Sequence, residues 1–173
     1  MKAHDRGPTR RLFGAEARAA QAEDALQLVA FHAGGGEYAL DIMRIKEIIQ
    51  PQKITSVPKV PAFIEGVIEL RGSILPVVDL RKRFDLPATP STRASKYVIV
   101  GIEGRIVGLV VDAVGEVLRV ADSEISAAPA LQGDAAQYFA GVCRHGGRIL
   151  FILDLDRILT STEKISLSGL TRA

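Results

Sequence analysis

The chain has few of the residues on which most catalytic, metal-binding and disulfide-stabilised proteins depend. Among its 173 residues there is no Trp, one Cys and three His, and aromatic residues make up 5 % of the total. The single cysteine, Cys143, excludes a disulfide within the chain and the CxxC motifs of redox and metal sites. The histidines are far apart in sequence and have no neighbours at the spacing of metal ligands. The sequence therefore predicts no catalytic residue, no metal site and no cofactor.

Recognised catalytic motifs are also missing from the sequence. It contains no G-x-S-x-G, no HExxH and no dinucleotide-binding fingerprint. The three glycines at 34–36 are not followed by GK[ST], so they predict a hairpin loop and not a phosphate loop. Asp79 and Asp154 could be taken for a catalytic pair, but each opens a short helical pattern, which predicts twin N-caps. An enzyme is not expected, and a small hydrolase with an unrecognised site is the weaker alternative.

Charge of one sign is not in excess, and long apolar runs are lacking. Lys and Arg number 22 against 20 Asp and Glu, which gives a formal net charge of +2. Nucleic-acid binders usually combine a basic stripe with aromatic residues, so no nucleic-acid partner is expected; a barrel that binds nucleic acid through an Arg-bearing N-terminal tail is the alternative function. No apolar run approaches the ~20 residues that span a membrane, and the N-terminus lacks the apolar region of a secretion signal. We expect a cytoplasmic protein without direct membrane insertion.

What the sequence does contain is an internal repeat of β-rich segments. Gly66–Leu80 (GVIELRGSILPVVDL) aligns without a gap with Gly141–Leu155 (GVCRHGGRILFILDL) at a spacing of 75 residues. Identical residues occupy the position pairs 66/141, 67/142, 72/147, 74/149, 75/150, 79/154 and 80/155. At a spacing of 69, YALDIMRIKEII from Tyr38 aligns with VGLVVDAVGEVL from Val107. We therefore predict two copies of one small β unit.

Short apolar runs separated by glycine-containing turns predict about five strands in each copy. Because closure removes exposed strand edges, the predicted fold class is all-β, with two five-stranded β-barrels packed together, short helical turns and a short C-terminal helix. In the predicted strand Arg44–Ile49 (RIKEII), alternation places Ile45, Glu47 and Ile49 on one face and Lys46 and Ile48 on the other. Apolar residues on both faces exceed what one thin barrel can bury, which favours a module that binds other proteins.

The most distinctive segments of the chain are EYALDI, RIKEII, VPKVPAFIEGVIELRGSILPVVDLRKRF, GLVVDAVGEVL, YFAGV and RILFILDLDRIL. Together they resemble the CheW-like family, the adaptors of bacterial chemosensory arrays. The resemblance extends from about residue 26 to residue 163. It implies two SH3-like β-barrels around a shared hydrophobic junction.

The repeat and the resemblance together predict the domain boundaries. Residues 1–24 would form a flexible N-terminal tail, 25–163 a CheW-like domain and 164–173 a C-terminal tail. Within the domain, the first barrel is expected mainly from 36–86, the second barrel mainly from 95–155, and a terminal helix from 155–163.

The resemblance implies a function in two-component signal transduction. Family members are non-catalytic adaptors that couple chemoreceptors, the methyl-accepting chemotaxis proteins, to a chemotaxis histidine kinase. The implied partners are the regulatory domain of that kinase and the cytoplasmic tip of the receptors. We expect a monomer when the protein is alone, recruited to membrane-associated receptor arrays when its partners are present.

The resemblance also implies which residues meet these partners. The family's receptor-contact positions fall on Ile45, Glu47, Gly66, Arg71 and Val117. A contact that builds the ring with the kinase regulatory domain falls on Pro129 and Leu131, where some members have a large aromatic residue in the position of Leu131.

Overall fold

The computed structural model describes residues 25–87, 89–127, 137–160 and 163. Its strands are β1 (Leu26–Ala33), β2 (Gly36–Asp41), β3 (Ile45–Ile49), β4 (Ile64–Leu70), β5 (Ser73–Asp79), β6 (Lys96–Ile102), β7 (Arg105–Val111), β8 (Ala113–Val120), β9 (Ile125–Ser126), β10 (Phe139–His145) and β11 (Arg148–Leu153). A four-residue helix, α1 (Leu80–Arg83), follows β5, and 3₁₀ turns occupy Ile42–Arg44, Asp122–Glu124 and Leu155–Arg157. The predicted all-β class is confirmed. Both predicted tails lie outside the described residues, and of the predicted terminal helix only a 3₁₀ turn and residue 163 are described as helical.

Two-residue turns build four of the hairpins, and each contains glycine, as the sequence predicted for its turns. In each turn both central residues have a positive φ, between 48° and 84°. This is the conformation whose twist matches the flanking strands of a tight hairpin. The turns are Gly34–Gly35, Arg71–Gly72, Glu103–Gly104 and Gly146–Gly147. Arg71 and Glu103 adopt this conformation although they carry side chains, at a cost of about 1–2 kcal/mol each.

The hairpins join into two sheets, each curved into an SH3-like barrel. Barrel A has the strand order β8-β1-β2-β11-β10-β9, and barrel B has the order β3-β6-β7-β5-β4. Neighbouring strands are antiparallel except for one parallel pair in each barrel, β2 with β11 and β5 with β7.

The two barrels do not follow the predicted division of the chain into 36–86 and 95–155. The first repeat supplies β1 to β5 and the second supplies β6 to β11. The β1–β2 hairpin nevertheless lies in barrel A with strands of the second repeat, and the β6–β7 hairpin lies in barrel B with strands of the first. Each repeat therefore gives its N-terminal hairpin to the other. The parallel pairings match this exchange, since Ala39 faces Ile152 and Gly108 faces Val77. Gly108 and Ile152 are the residues that the repeat aligns with Ala39 and Val77.

Three clusters of buried apolar side chains hold the barrels together. Barrel A and barrel B each have a small interior cluster, and a larger cluster with members from both sheets lies between them. At its centre the Tyr38 ring lies 5.7 to 6.4 Å from four phenylalanine rings, those of Phe31, Phe84, Phe139 and Phe151. This is the shared hydrophobic junction that the family resemblance implied. Cys143 is buried in the barrel A cluster, and burial raises the pKa of its thiol, as expected for a core residue.

The two predicted caps occupy equivalent places in the barrels. Asp79 accepts a hydrogen bond of 2.9 Å from the backbone N–H of Arg81 at the start of α1. Asp154 accepts the corresponding bond, 3.1 Å, from the N–H of Asp156 in the last 3₁₀ turn. The interpretation of both aspartates as N-caps is confirmed.

Candidate partner-binding surface

A bulge in β3 separates two of the residues predicted to contact receptors. Ile45 pairs with Val100, but Glu47 pairs with Ile99, so the register shifts by one residue at Lys46. Neighbouring residues of β6 face opposite sides of the sheet, and Ile45 packs against the shared junction whereas Ile99 belongs to the barrel B interior. The expectation that Ile45, Glu47 and Ile49 share one face is therefore wrong for Ile45, because alternation alone cannot reveal a bulge.

Glu47 and Arg71 are brought together in an ion pair. Arg71 donates to both carboxylate oxygens of Glu47, with 3.0 Å between Arg71 Nη2 and Glu47 Oε1. These hydrogen bonds hold the pKa of the Glu47 carboxyl below its usual value and raise the pKa of Arg71. β3 and β4 lie at opposite ends of the strand order of barrel B, and Arg71 lies in the turn that ends β4. The pair therefore links the two ends of the curved sheet at the surface.

Barrel A carries an equivalent ion pair that sequence reasoning missed. Arg148, the first residue of β11, contacts Glu116 on β8, and its guanidinium also lies 3.6 Å from Glu37. Glu116 is the residue that the repeat aligns with Glu47, and Arg148 follows Gly147, the counterpart of Gly72. The arginine is displaced by two positions between repeats, so the alignment alone does not reveal the second pair.

Gly66 is buried where two backbones approach each other closely. A Cβ at this position would lie 2.2 Å from the carbonyl oxygen of Thr55 and 2.6 Å from a methyl carbon of Ile54. Its φ of 145° is also one that side-chain-bearing residues rarely adopt. Its repeat counterpart Gly141 is crowded in the same way by Ser126, at 2.7 Å. The packing of each barrel thus requires a glycine here whether or not a partner contacts it.

Val117 lies on β8 in barrel A, in the other sheet from Glu47 and Arg71. Val117 is 58 % exposed, and its repeat counterpart on β3, Ile48, is 40 % exposed. A second pair of counterparts, Ile74 and Ile149, is exposed as well. Large apolar side chains that are exposed at equivalent places on both barrels are unlike the scattered exposed residues of an ordinary surface. Ile48 was not among the predicted contacts, although its alignment with Val117 indicates it.

Two depressions meet at Arg44, which follows β2. One is a groove of about 230 Å³ lined mainly by apolar residues of barrel A, including Leu28, Leu40 and Ile152. The other is a cleft of about 360 Å³ beside barrel B with three basic side chains, Arg44, Lys46 and Arg105, around it. Arg44 is held in place by Asp156, 2.8 Å away, and by the carbonyl oxygen of Gly101, 3.1 Å away.

Among the described residues, the most buried charged side chain, Asp79, belongs to a network around Arg81 in α1, next to the connection between the repeats. The Arg81 guanidinium donates to Asp79, which is only 2 % exposed, and to Asp112, at 3.0 and 3.1 Å. Asp112 also accepts a 2.7 Å bond from the backbone N–H of Gly34 and a bond from the Thr89 hydroxyl. Every one of these groups has a partner within the fold, so the network is assigned to stability and not to binding.

Some of the predicted site residues do not belong to the part of the chain that the structure describes. Pro129 and Leu131 lie outside the described residues, so the ring contact stays a prediction. Within the described parts of the chain, no three His, Cys, Asp or Glu side chains are grouped so that they could hold a metal ion. No helix in those parts is long and apolar enough to cross a membrane.

Comparison with known proteins agrees with this architecture. Chemotaxis protein CheW of Rhizobium meliloti is 36 % identical over 139 residues, which cover 80 % of this chain and 90 % of that protein. Protein FrzA of Myxococcus xanthus is 30 % identical over 155 residues, 86 % of this chain and 94 % of its own length. The crystal structure of scaffolding protein TtCheW from Thermoanaerobacter tengcongensis superposes with a TM-score of 0.75 at 32 % identity, covering 80 % of this chain and 95 % of that one. The CheW-like domain family matches residues 27–163, and the chain belongs to this family.

Proposed function

We propose that this protein is a non-catalytic adaptor that couples the cytoplasmic tips of chemoreceptors to the regulatory domain of a chemotaxis histidine kinase. Its membership of a family of chemotaxis scaffold proteins supports the role in chemotaxis. The specific partners are those that the sequence resemblance implies. The protein would work in the cytoplasm and reach the membrane only through the receptors it binds.

One observation carries the proposal: at equivalent places on the end strands β3 and β8, each barrel exposes an apolar side chain, and the glutamate that precedes it in the chain forms an ion pair with an arginine. Ile48 adjoins Glu47 of the Glu47–Arg71 pair, and Val117 adjoins Glu116 of the Glu116–Arg148 pair. An apolar side chain supplies area to bury against a partner, and an adjacent charged pair fixes the register of the partner. Two such surfaces on one chain suit a scaffold that holds two proteins at once.

Arg71 is the residue best placed to meet a receptor directly. Its side chain is 73 % exposed although it is bonded to Glu47, so further N–H groups of the guanidinium face solvent. Ile45 is a weaker candidate, because its side chain already packs against the shared junction. Gly66 would contribute by keeping β4 close to Thr55 and not through a contact of its own.

Calorimetric titration with a receptor cytoplasmic fragment and, separately, with the kinase regulatory domain tests the proposal. Arg71→Glu removes charge-assisted bonds worth about 1.5–3 kcal/mol each, so we expect receptor binding to weaken about 10- to 100-fold. Val117→Glu should weaken binding similarly without lowering the melting temperature, since Val117 is exposed. Lys53→Glu, the same change of charge at an exposed residue outside the predicted contacts, is the matched control and should bind normally.

The charge-swapped variant Glu47→Arg with Arg71→Glu separates two roles of the pair. If the pair acts only by closing barrel B, the swap restores both stability and binding. If Arg71 touches the receptor, stability returns but binding does not, which is the expected result. Absence of binding by the unmodified protein to both partners would overturn the proposed function.

The nucleic-acid alternative rests on the Arg-bearing tail, residues 1–24, which lies outside the described residues. No contact in the described part of the chain favours it, and we do not propose it as a second function.

A further inference from the structure

The strand pairing makes the two repeats depend on each other. Within one repeat, pairing between strands is confined to the hairpins β1–β2 and β4–β5 in the first, and β6–β7, β10–β11 and the short β9–β10 pair in the second. All pairings that join hairpins to the rest of a sheet cross between repeats: β1 with β8, β2 with β11, β3 with β6, and β5 with β7. In the described residues neither repeat contains a complete sheet of its own.

A single connection joins the repeats along the chain. It runs from the end of α1 to the start of β6, residues 84–95, and is described at 84–87 and 89–95. Twelve residues in extended conformation can reach about 40 Å, roughly the diameter of a domain of this size. Thr89 fixes the connection through its carbonyl oxygen, which accepts from Arg81, and its hydroxyl, which donates to Asp112.

We propose that a second copy of this chain is a binding partner, and that two copies associate by exchanging repeats across this connection. The first repeat of one copy then folds with the second repeat of the other, and the reverse. Every strand pairing and core contact is the same as in the monomer, so exchange creates no new interface apart from the opened connection. The inference rests on strand topology and is independent of the proposed adaptor function.

The balance between monomer and exchanged dimer follows from effective concentration. Within one chain the second repeat is held near the first at an effective concentration on the order of millimolar. Below that concentration the monomer is favoured because the contacts are equal. A substitution that blocks folding within one chain removes this competition, and exchange with an intact repeat from another chain becomes the route to the native fold.

Two damaged full-length chains provide the test. Leu28 in the first repeat and Leu150 in the second are fully buried in the barrel A interior, and an aspartate at either site buries an unpaired charge. Leu28→Asp and Leu150→Asp should each fail to fold alone. Refolded together, they should form a dimer of one chain of each kind. Each lobe of this dimer combines the first repeat of one chain with the second repeat of the other, so one lobe is native and the other carries both substitutions. Light scattering should give twice the monomer mass, and circular dichroism about half the native signal.

The matched control combines two variants of the same repeat, Leu28→Asp and Leu75→Asp. Leu75 is also buried, in barrel B, but every lobe that this mixture forms contains a damaged first repeat. Recovery in the control as well as the test, or in neither, would overturn the inference. Should either single variant fold alone, the unmodified chain is refolded at about 1 mM, the concentration at which exchange competes, and its mass is measured at that concentration. A fraction of dimer that returns to monomer on unfolding and refolding at high dilution is expected, and monomer alone at about 1 mM would refute exchange.

Discussion

Gly66→Ala distinguishes a packing role from a contact role at the position where the family resemblance implies a receptor contact. The added methyl would lie 2.2 Å from the Thr55 carbonyl oxygen, so β4 and the Thr55 segment must separate. Overpacking of this kind costs about 1–3 kcal/mol, and an unfavourable φ adds about 1–3 kcal/mol. The sum, about 2–6 kcal/mol, is a large part of the roughly 5–15 kcal/mol by which domains are stable.

Two further glycine variants separate the contributions. Gly104→Ala has a φ of 80° but no atom within 4 Å of the new methyl, so it reports the backbone cost alone. Gly141→Ala lacks a positive φ but would meet the Ser126 carbonyl oxygen at 2.7 Å, so it reports the crowding alone. Urea denaturation followed by circular dichroism should rank Gly66→Ala as the least stable of the three.

The affinity of Gly66→Ala for a receptor fragment shows whether Gly66 acts through packing or through contact. If the glycine acts only through packing, the folded fraction of Gly66→Ala should bind a receptor fragment with an affinity close to that of the unmodified protein. A variant as stable as the unmodified protein, within about 0.5 kcal/mol, that nevertheless loses receptor binding would refute the reasoning. Gly66 would then lie in the contact itself.

Two other substitutions test the charged networks. Arg81→Met leaves the buried Asp79 carboxylate without its ion-pair partner, and urea denaturation should show a loss of about 3–5 kcal/mol in the free energy of unfolding. Arg157→Met removes an exposed pair with Asp154 and should cost at most about 1 kcal/mol. Equal losses of stability in the two variants would contradict the assignment of the Arg81 network to stability. Because its bonds with Arg71 lower the pKa of Glu47 in the folded protein, the pair stabilises the fold above the ordinary carboxyl pKa of about 4.5 and ceases to do so as the pH falls through the lowered value. The melting temperatures of Glu47→Gln and the unmodified protein should therefore differ at neutral pH and converge in acid, and a difference independent of pH would contradict this role.

The sequence predicted the candidate surface unevenly, and the reasons are geometric. The family resemblance implied that Glu47 and Arg71 are both receptor contacts, and in the structure their side chains are bonded to each other. The strand that carries Glu47 and the turn that carries Arg71 could be placed from short-range pattern. The position of Ile45 relative to Glu47 was missed, because a one-residue bulge at Lys46 reverses the faces without changing the apolar pattern. The Glu116–Arg148 pair was missed because its arginine occupies a different position in the second repeat.

The division of the strands between barrels was the part of the fold that the sequence could not provide. A hairpin is set by its turn, and the turns at Gly34–Gly35 and Glu103–Gly104 show their conformation in their residues. Which repeat then receives the hairpin depends on contacts between residues far apart in sequence, such as Ala39 with Ile152. Two similar repeats offer similar apolar edges to either hairpin, so the pattern is equally consistent with keeping or exchanging them. The same equivalence is what makes exchange between two copies physically reasonable, since a hairpin that pairs with the other repeat of its own chain can pair with that repeat of another.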